Sequence, residues 1–196
     1  MQRMKYPKYI ASLESIWYSD IEDTLNVKPI LEIISATYKT KYVHLSSNTR
    51  TEFEHNLNSL RSLTKKSEYK VLYLAFHGKP NSLAMADNSL INLQELSQLM
   101  GQQFIDWIVH FGTCGTVDTD EQYLFDFVEN TGVQMVSGYS NKSVNWIESA
   151  ALDLIYFQQL QHYSDMREAW DEMNQRYKEL ILRTGLRIYL PSDKKL

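Results

Sequence analysis

Val71-Leu72-Tyr73-Leu74-Ala75-Phe76-His77-Gly78 and Phe104-Ile105-Asp106-Trp107-Ile108-Val109-His110-Phe111-Gly112-Thr113-Cys114 are the two segments that decide the fold. Each is a short apolar run of strand length that ends at a reactive side chain, His77 in one and Cys114 in the other. Near-continuous apolar runs suit strands covered on both faces, as in a parallel sheet. If the two strands lie side by side and parallel, an imidazole and the chain's single cysteine meet at one sheet edge. A thiol with an imidazole partner is the arrangement of a cysteine nucleophile.

Around this pair the apolar period switches repeatedly between strand and helix. Strands are expected at Tyr9 to Ile16, Tyr42 to Leu45, Tyr69 to Phe76, Phe104 to Phe111, Val133 to Ser137 and Leu186 to Leu190. Helices are expected over Val27 to Tyr38, with Asn26 as N-cap and Pro29 in the first turn, and over Thr51 to Lys65. Further helices are expected at Leu93 to Met100, Asp120 to Glu129, Val144 to His162 and Ser164 to Arg183. Lys79-Pro80-Asn81-Ser82 is turn chemistry, and Leu83 to Ile91 reads as a small hairpin around Asp87-Asn88. The alternation predicts an α/β fold: a mainly parallel central sheet of about six strands with helices on both faces. No repeat or linker interrupts residues 1–196, so one domain is expected.

Composition narrows the function. With 196 residues and 43% apolar content, the chain can bury a core without disulfides or a structural metal. A single cysteine excludes an internal disulfide and cysteine-rich zinc sites, and the five histidines lack metal-ligand spacing, so no metal or cofactor is expected. A net charge of -4 argues against a nucleic-acid partner, with Lys65-Lys66 and Lys194-Lys195 as the clearest basic clusters. The N-terminal residues lack a signal-peptide core, and no apolar run nears the roughly 18 residues of a membrane helix. A cytoplasmic protein without a membrane partner is the expectation.

Ligands of open parallel sheets bind at the carboxyl ends of the strands. Those ends carry Trp17 to Asp23, His77-Gly78, Thr113-Cys114-Gly115 and Tyr139 to Trp146. A lone cysteine is ordinarily a small buried hydrophobe. The small residues around Cys114 and the coincidence of edges argue for chemistry instead. Cys114 would attack a carbonyl carbon while His77 manages the proton, and Gly78 after it makes a tight, accessible turn. The backbone N–H groups of Gly78 and Cys114 would face the oxyanion. His110 reads as a packed core histidine, His162 as a helix C-terminal one, and His44 and His55 lack an obvious partner.

A hydrophobic block ending in His-Gly and a second ending in Cys resemble the caspase-like (clan CD) cysteine peptidases. Met135-Val136-Ser137-Gly138-Tyr139, Val144-Asn145-Trp146 and Ser149 to Phe157 look most like the CHAT branch, in which the fifth strand leads through a loop into a long helix. The resemblance covers about Tyr69 to Leu160. It implies a three-layer caspase-like fold, His77 and Cys114 as the dyad, and Gly78 and Cys114 as oxyanion donors. Thr113 stands where the family has a smaller residue, Gln-Ala-Cys is absent, and Asn145 stands where the CHAT-like loop often has an acid. The His77–Cys114 spacing is shorter than the caspase separation of about 50 residues.

These features predict a cysteine endopeptidase acting on a protein or peptide substrate, with an activating partner protein, and by family analogy a stress or defence effector. Candidate pocket residues are Asp20, Asp118, Trp17, Tyr139, Asn145 and Trp146. Acids near the predicted edge (Asp20, Glu22, Asp23, Asp118, Asp120, Glu148) outnumber Lys79 and Lys142, which points to cleavage after Arg or Lys. Two other readings are a catalytically silent caspase-like interaction module and a flavodoxin-like ligand-binding domain. The second lacks a glycine-rich phosphate loop after the first strand.

Overall fold

The structure is a computed structural model, and it describes residues 7–18, 20, 22 and 24–193. Asp23, Lys194-Lys195 and the N-terminal residues before Pro7, all read above, lie outside the described residues.

Six strands form the central sheet: β1 (Tyr9–Glu14), β2 (Tyr42–Ser46), β3 (Tyr69–Ala75), β7 (Ile108–Phe111), β8 (Met135–Tyr139) and β9 (Leu186–Tyr189). Their order is β2-β1-β3-β7-β8-β9, every pair parallel except β8 with β9. Between β3 and β7 the chain forms β4 (His77–Lys79), β5 (Ser82–Ala84) and β6 (Leu90–Asn92), which make a separate three-stranded antiparallel sheet. The expected α/β sheet of about six strands is therefore present, whereas the expected hairpin gains a third strand that starts at His77 itself.

Helices cover both faces because the strands are apolar on both. α2 (Arg50–Leu60), α3 (Leu93–Met100) and α4 (Glu121–Thr131) send Phe53, Leu57, Leu96 and Leu124 into one core. α1 (Lys28–Tyr38), α5 (Trp146–Leu160) and α6 (Met166–Thr184) send Leu31, Leu152, Phe157 and Met173 into the other. Side chains set the helix starts. Thr49 with Glu52 and Asn92 with Glu95 form capping boxes, and Asp120, Asn145 and Asp165 cap α4, α5 and α6. α1 begins one residue later than expected, with Val27 at its cap and Asn26 Oδ1 accepting the Lys28 N–H.

Two expected elements are shortened most. The helix after Thr49 tightens into a 3₁₀ turn over Arg61–Lys65. Phe104 to Trp107 is no strand: Asp106 takes a positive φ of 62° and Trp107 donates its N–H back to the Phe104 carbonyl, so the ladder starts at Ile108. The segment is apolar because Phe104 and Trp107 are buried from a turn, not from a strand. Among the described residues no helix is long and apolar enough to cross a membrane.

Candidate active site

The carboxyl ends of β1, β3, β7 and β8 meet around one cavity of about 290 Å³. Trp17 follows β1, His77 follows β3, Gly112, Thr113 and Cys114 follow β7, and Tyr139 ends β8. His77 and Cys114 thus share a cavity, although one belongs to the small sheet and the other to a loop of the large one. His77 is exposed and Cys114 partly so.

Two threonines join these two pieces. Thr113, buried, donates its hydroxyl to Thr116 Oγ1 at 2.6 Å, and Thr116 Oγ1 donates to the Ser82 carbonyl of β5 at 3.1 Å. The Thr116 carbonyl accepts the Asn81 N–H at 3.1 Å. Gly115 supplies the left-handed φ of 69° that lets the chain turn straight after Cys114.

Gly78 is not in a turn, which corrects the expectation above, but its amide is still free of the ladder. Lys79 and Ser82 flank the turn at Pro80-Asn81 and must form a hydrogen-bonded pair. Opposed pairs alternate in an antiparallel ladder, so Gly78 opposite Leu83 is a non-bonded pair and its N–H points away from β5.

His77 is oriented by an acceptor the sequence did not suggest. Its Nε2 lies 2.5 Å from the backbone carbonyl of Trp17. The Trp17 ring stands edge-on to the imidazole at 5.4 Å and to Trp146 at 4.9 Å, and Tyr18 adds a further edge contact to His77 at 6.4 Å.

The floor of the cavity is a buried polar cluster. Tyr73, His110 and Ser137 are direct partners across β3, β7 and β8, so their side chains share the face covered by α5. Asp153 of α5, 3% exposed, receives two of them together with Tyr139: Tyr73 Oη donates to it at 2.5 Å, Tyr139 Oη also donates, and His110 Nε2 lies 2.9 Å away. Burial pushes the Tyr73 and Tyr139 hydroxyls well above their ordinary range, and the Asp153 carboxylate pushes them further, so both stay donors. His110 Nδ1 bonds Ser137 Oγ at 2.8 Å, so its expected place in the core is the observed one.

Of the candidate pocket residues, Trp17, Tyr139 and Trp146 line the cavity and Asp20, Asp118 and Asn145 do not. Asp20 accepts the Glu22 N–H from an exposed position, and exposed Asp118 donates its own N–H to the Gly115 carbonyl. Asn145 spends its side chain on the N–H groups of Ile147 and Glu148 as the α5 cap. Glu148 pairs with Arg183 at 3.2 Å. Among the described residues, the carboxylate that lines the cavity is Asp153 and the lysine is Lys142. Asp153 had one sequence signal: a charge inside Ala151-Leu152-Asp153-Leu154-Ile155, where a helix otherwise faces the core. His44 also has a partner unseen in sequence, Glu14 Oε2 at 2.6 Å.

Residues 7–190 match DUF6642, described as a family of unknown function. The chain belongs to that family. Its structure is similar to the crystal structure of the Drosophila initiator caspase Dronc, with a TM-score of 0.55 and 9% sequence identity. The match covers 88% of this chain and 74% of that one. At such low identity the likeness is one of architecture, and the DUF6642 chain has a caspase-like fold. Among curated proteins, no sequence matches it.

Proposed function

We propose that this DUF6642 protein is a cysteine endopeptidase with His77 and Cys114 as its dyad, a single caspase-like domain of clan CD nearest the CHAT branch. What supports this most is the bond from His77 Nε2 to the Trp17 carbonyl within the cavity that Cys114 also lines. A carbonyl only accepts, so Nε2 carries the hydrogen and Nδ1 is left as the base.

The chemistry then runs through atoms already described. Nδ1 of His77 takes the Cys114 thiol proton, and the thiolate sulfur bonds to the carbonyl carbon of a peptide. The oxyanion faces the free N–H of Gly78 and that of Cys114. Collapse of the intermediate breaks the C–N bond, and the imidazolium returns its proton to the departing amine. Water, deprotonated by His77, hydrolyses the thioester and restores the thiol.

Preference for Arg or Lys before the scissile bond stays part of this reading, on different residues. Asp153 replaces Asp20 and Asp118 as the acid at the pocket, and Trp17, Trp146 and Tyr139 offer faces to a cation. Lys142 opposes it from the exposed rim, where solvent weakens its field relative to a buried carboxylate. A cytoplasmic setting suits a chemistry that needs a reduced thiol.

The test is a denatured proteome incubated with wild type, Cys114→Ala or His77→Ala, with new N-termini read by mass spectrometry. Wild type should generate termini that both variants lack. Identical profiles would sink the peptidase reading.

A further inference from the structure

Glu14 ends β1 with its carboxylate almost fully buried, at 5% exposure. A buried carboxylate is costly unless its oxygens are filled, and here they are filled by three donors from three segments. Oε1 accepts the Trp17 indole Nε1–H at 2.7 Å and the Val27 N–H at 2.9 Å, and Oε2 lies 2.6 Å from His44 Nε2 on β2. One side chain therefore pins the residue just after β1, the cap of α1 and the neighbouring strand.

Trp17 is the residue whose carbonyl engages His77. Its backbone neighbours are held separately: Ile16 N–H donates to Asn48 Oδ1 at 2.9 Å, and Ser15 N–H donates to the Ala75 carbonyl at 3.1 Å. The indole is the remaining handle on Trp17: Glu14 holds its N–H, and Trp146 packs against its ring. With the indole fixed, the Trp17 peptide presents its carbonyl to Nε2 while the ring packs on the imidazole edge.

We propose that Glu14 is a positioning residue for His77, acting through Trp17 to hold the imidazole in its Nε2–H tautomer with Nδ1 free. His44 supports Glu14 from β2 and has no contact with the cavity of its own. The proposal rests on His77 being the base described above, yet it concerns a ring state that can be read without any substrate.

The experiment is long-range proton–nitrogen correlation NMR of the labelled full chain, with His77 assigned by its loss in His77→Gln. Wild type should show the Nε2–H tautomer. Glu14→Ala and Trp17→Phe, which removes the indole donor and keeps a smaller aromatic ring, should both give an averaged tautomer. In the same variants alkylation of Cys114 by iodoacetamide should slow about threefold to tenfold, the scale of one lost hydrogen bond. Glu14→Gln, which can still accept from Trp17 and Val27, should restore the wild-type spectrum. If Glu14→Ala does not fold, Trp17→Phe decides. An unchanged Nε2–H tautomer in folded Trp17→Phe overturns the proposal, as does a Glu14→Gln spectrum that matches Glu14→Ala. A Glu14-dependent tautomer beside an inert Cys114 would support the positioning role while removing the peptidase reading.

Discussion

The backbone of Gly78 lies directly against the carbonyl of Cys114: a Cβ at Gly78 would stand 2.0 Å from that oxygen and 2.8 Å from Thr116 Oγ1. Any side chain there must push the histidine strand and the cysteine loop apart. Gly78→Ala should cost about 1–3 kcal/mol of stability, as overpacking does. In a chain of this size that lowers Tm by roughly 2–4 °C per kcal/mol. Calorimetry reads the first effect. Iodoacetamide labelling reads the second, a loss of any enhanced Cys114 reactivity in protein that is still folded.

Asp153 holds side chains from β3, β7 and β8 at once. Asp153→Ala would leave two tyrosine hydroxyls and His110 without their acceptor in the core. Removing one member of such a buried cluster costs about 3–5 kcal/mol. Urea unfolding should show a lower midpoint with an unchanged slope. A midpoint equal to wild type would mean the cluster repacks around the gap.

Alkaline pH should separate the tyrosines into two classes. Tyr73, Tyr139 and Tyr156 are raised above their ordinary value of 10.0, chiefly by burial. In the unfolded chain they ionise near that ordinary value, so above it the unfolded state has lost protons that the fold retains. Stability contributed by these groups is complete below pH 10 and falls as pH rises beyond it. Tyrosinate absorbance should rise first for the exposed rings, then again with unfolding detected by circular dichroism. A single transition with the fold intact would contradict the burial.

Peptide libraries test the pocket. Cleavage should follow Arg or Lys, and Asp153→Asn, which removes the charge and keeps one acceptor oxygen for the buried cluster, should in protein that is still folded reduce that preference about tenfold or more relative to apolar residues. Cleavage after Asp with basic positions ignored would show that Lys142, and not Asp153, governs the cavity.

Much of this architecture is legible in the sequence because burial on both faces writes apolar runs, and because helix starts carry Thr49, Asn92, Asp120 and Asp165. The edge shared by His77 and Cys114 follows from the same runs. What escapes sequence is whatever depends on cross-chain register. Asp106 breaks an apolar stretch by a backbone angle, not by composition. Acids counted along the chain mislead, since Asp120 serves a helix end, Asp118 faces solvent, and Asp153 reaches the site only because α5 crosses the Tyr73–His110–Ser137 row. The Trp17 carbonyl carries no side-chain signal at all.

The Thr113–Thr116–Ser82 connection has a wider bearing on how such chains are compared. Histidine and cysteine sit on separate rafts of structure, and the hydroxyl pair is the rivet between them. A relative could keep both letters of the proposed dyad and lose the rivet, leaving the Asn81–Thr116 backbone bond to hold the two pieces together. Comparisons built on the His-Gly and Cys signatures alone would miss that difference; including the threonines would bring it out.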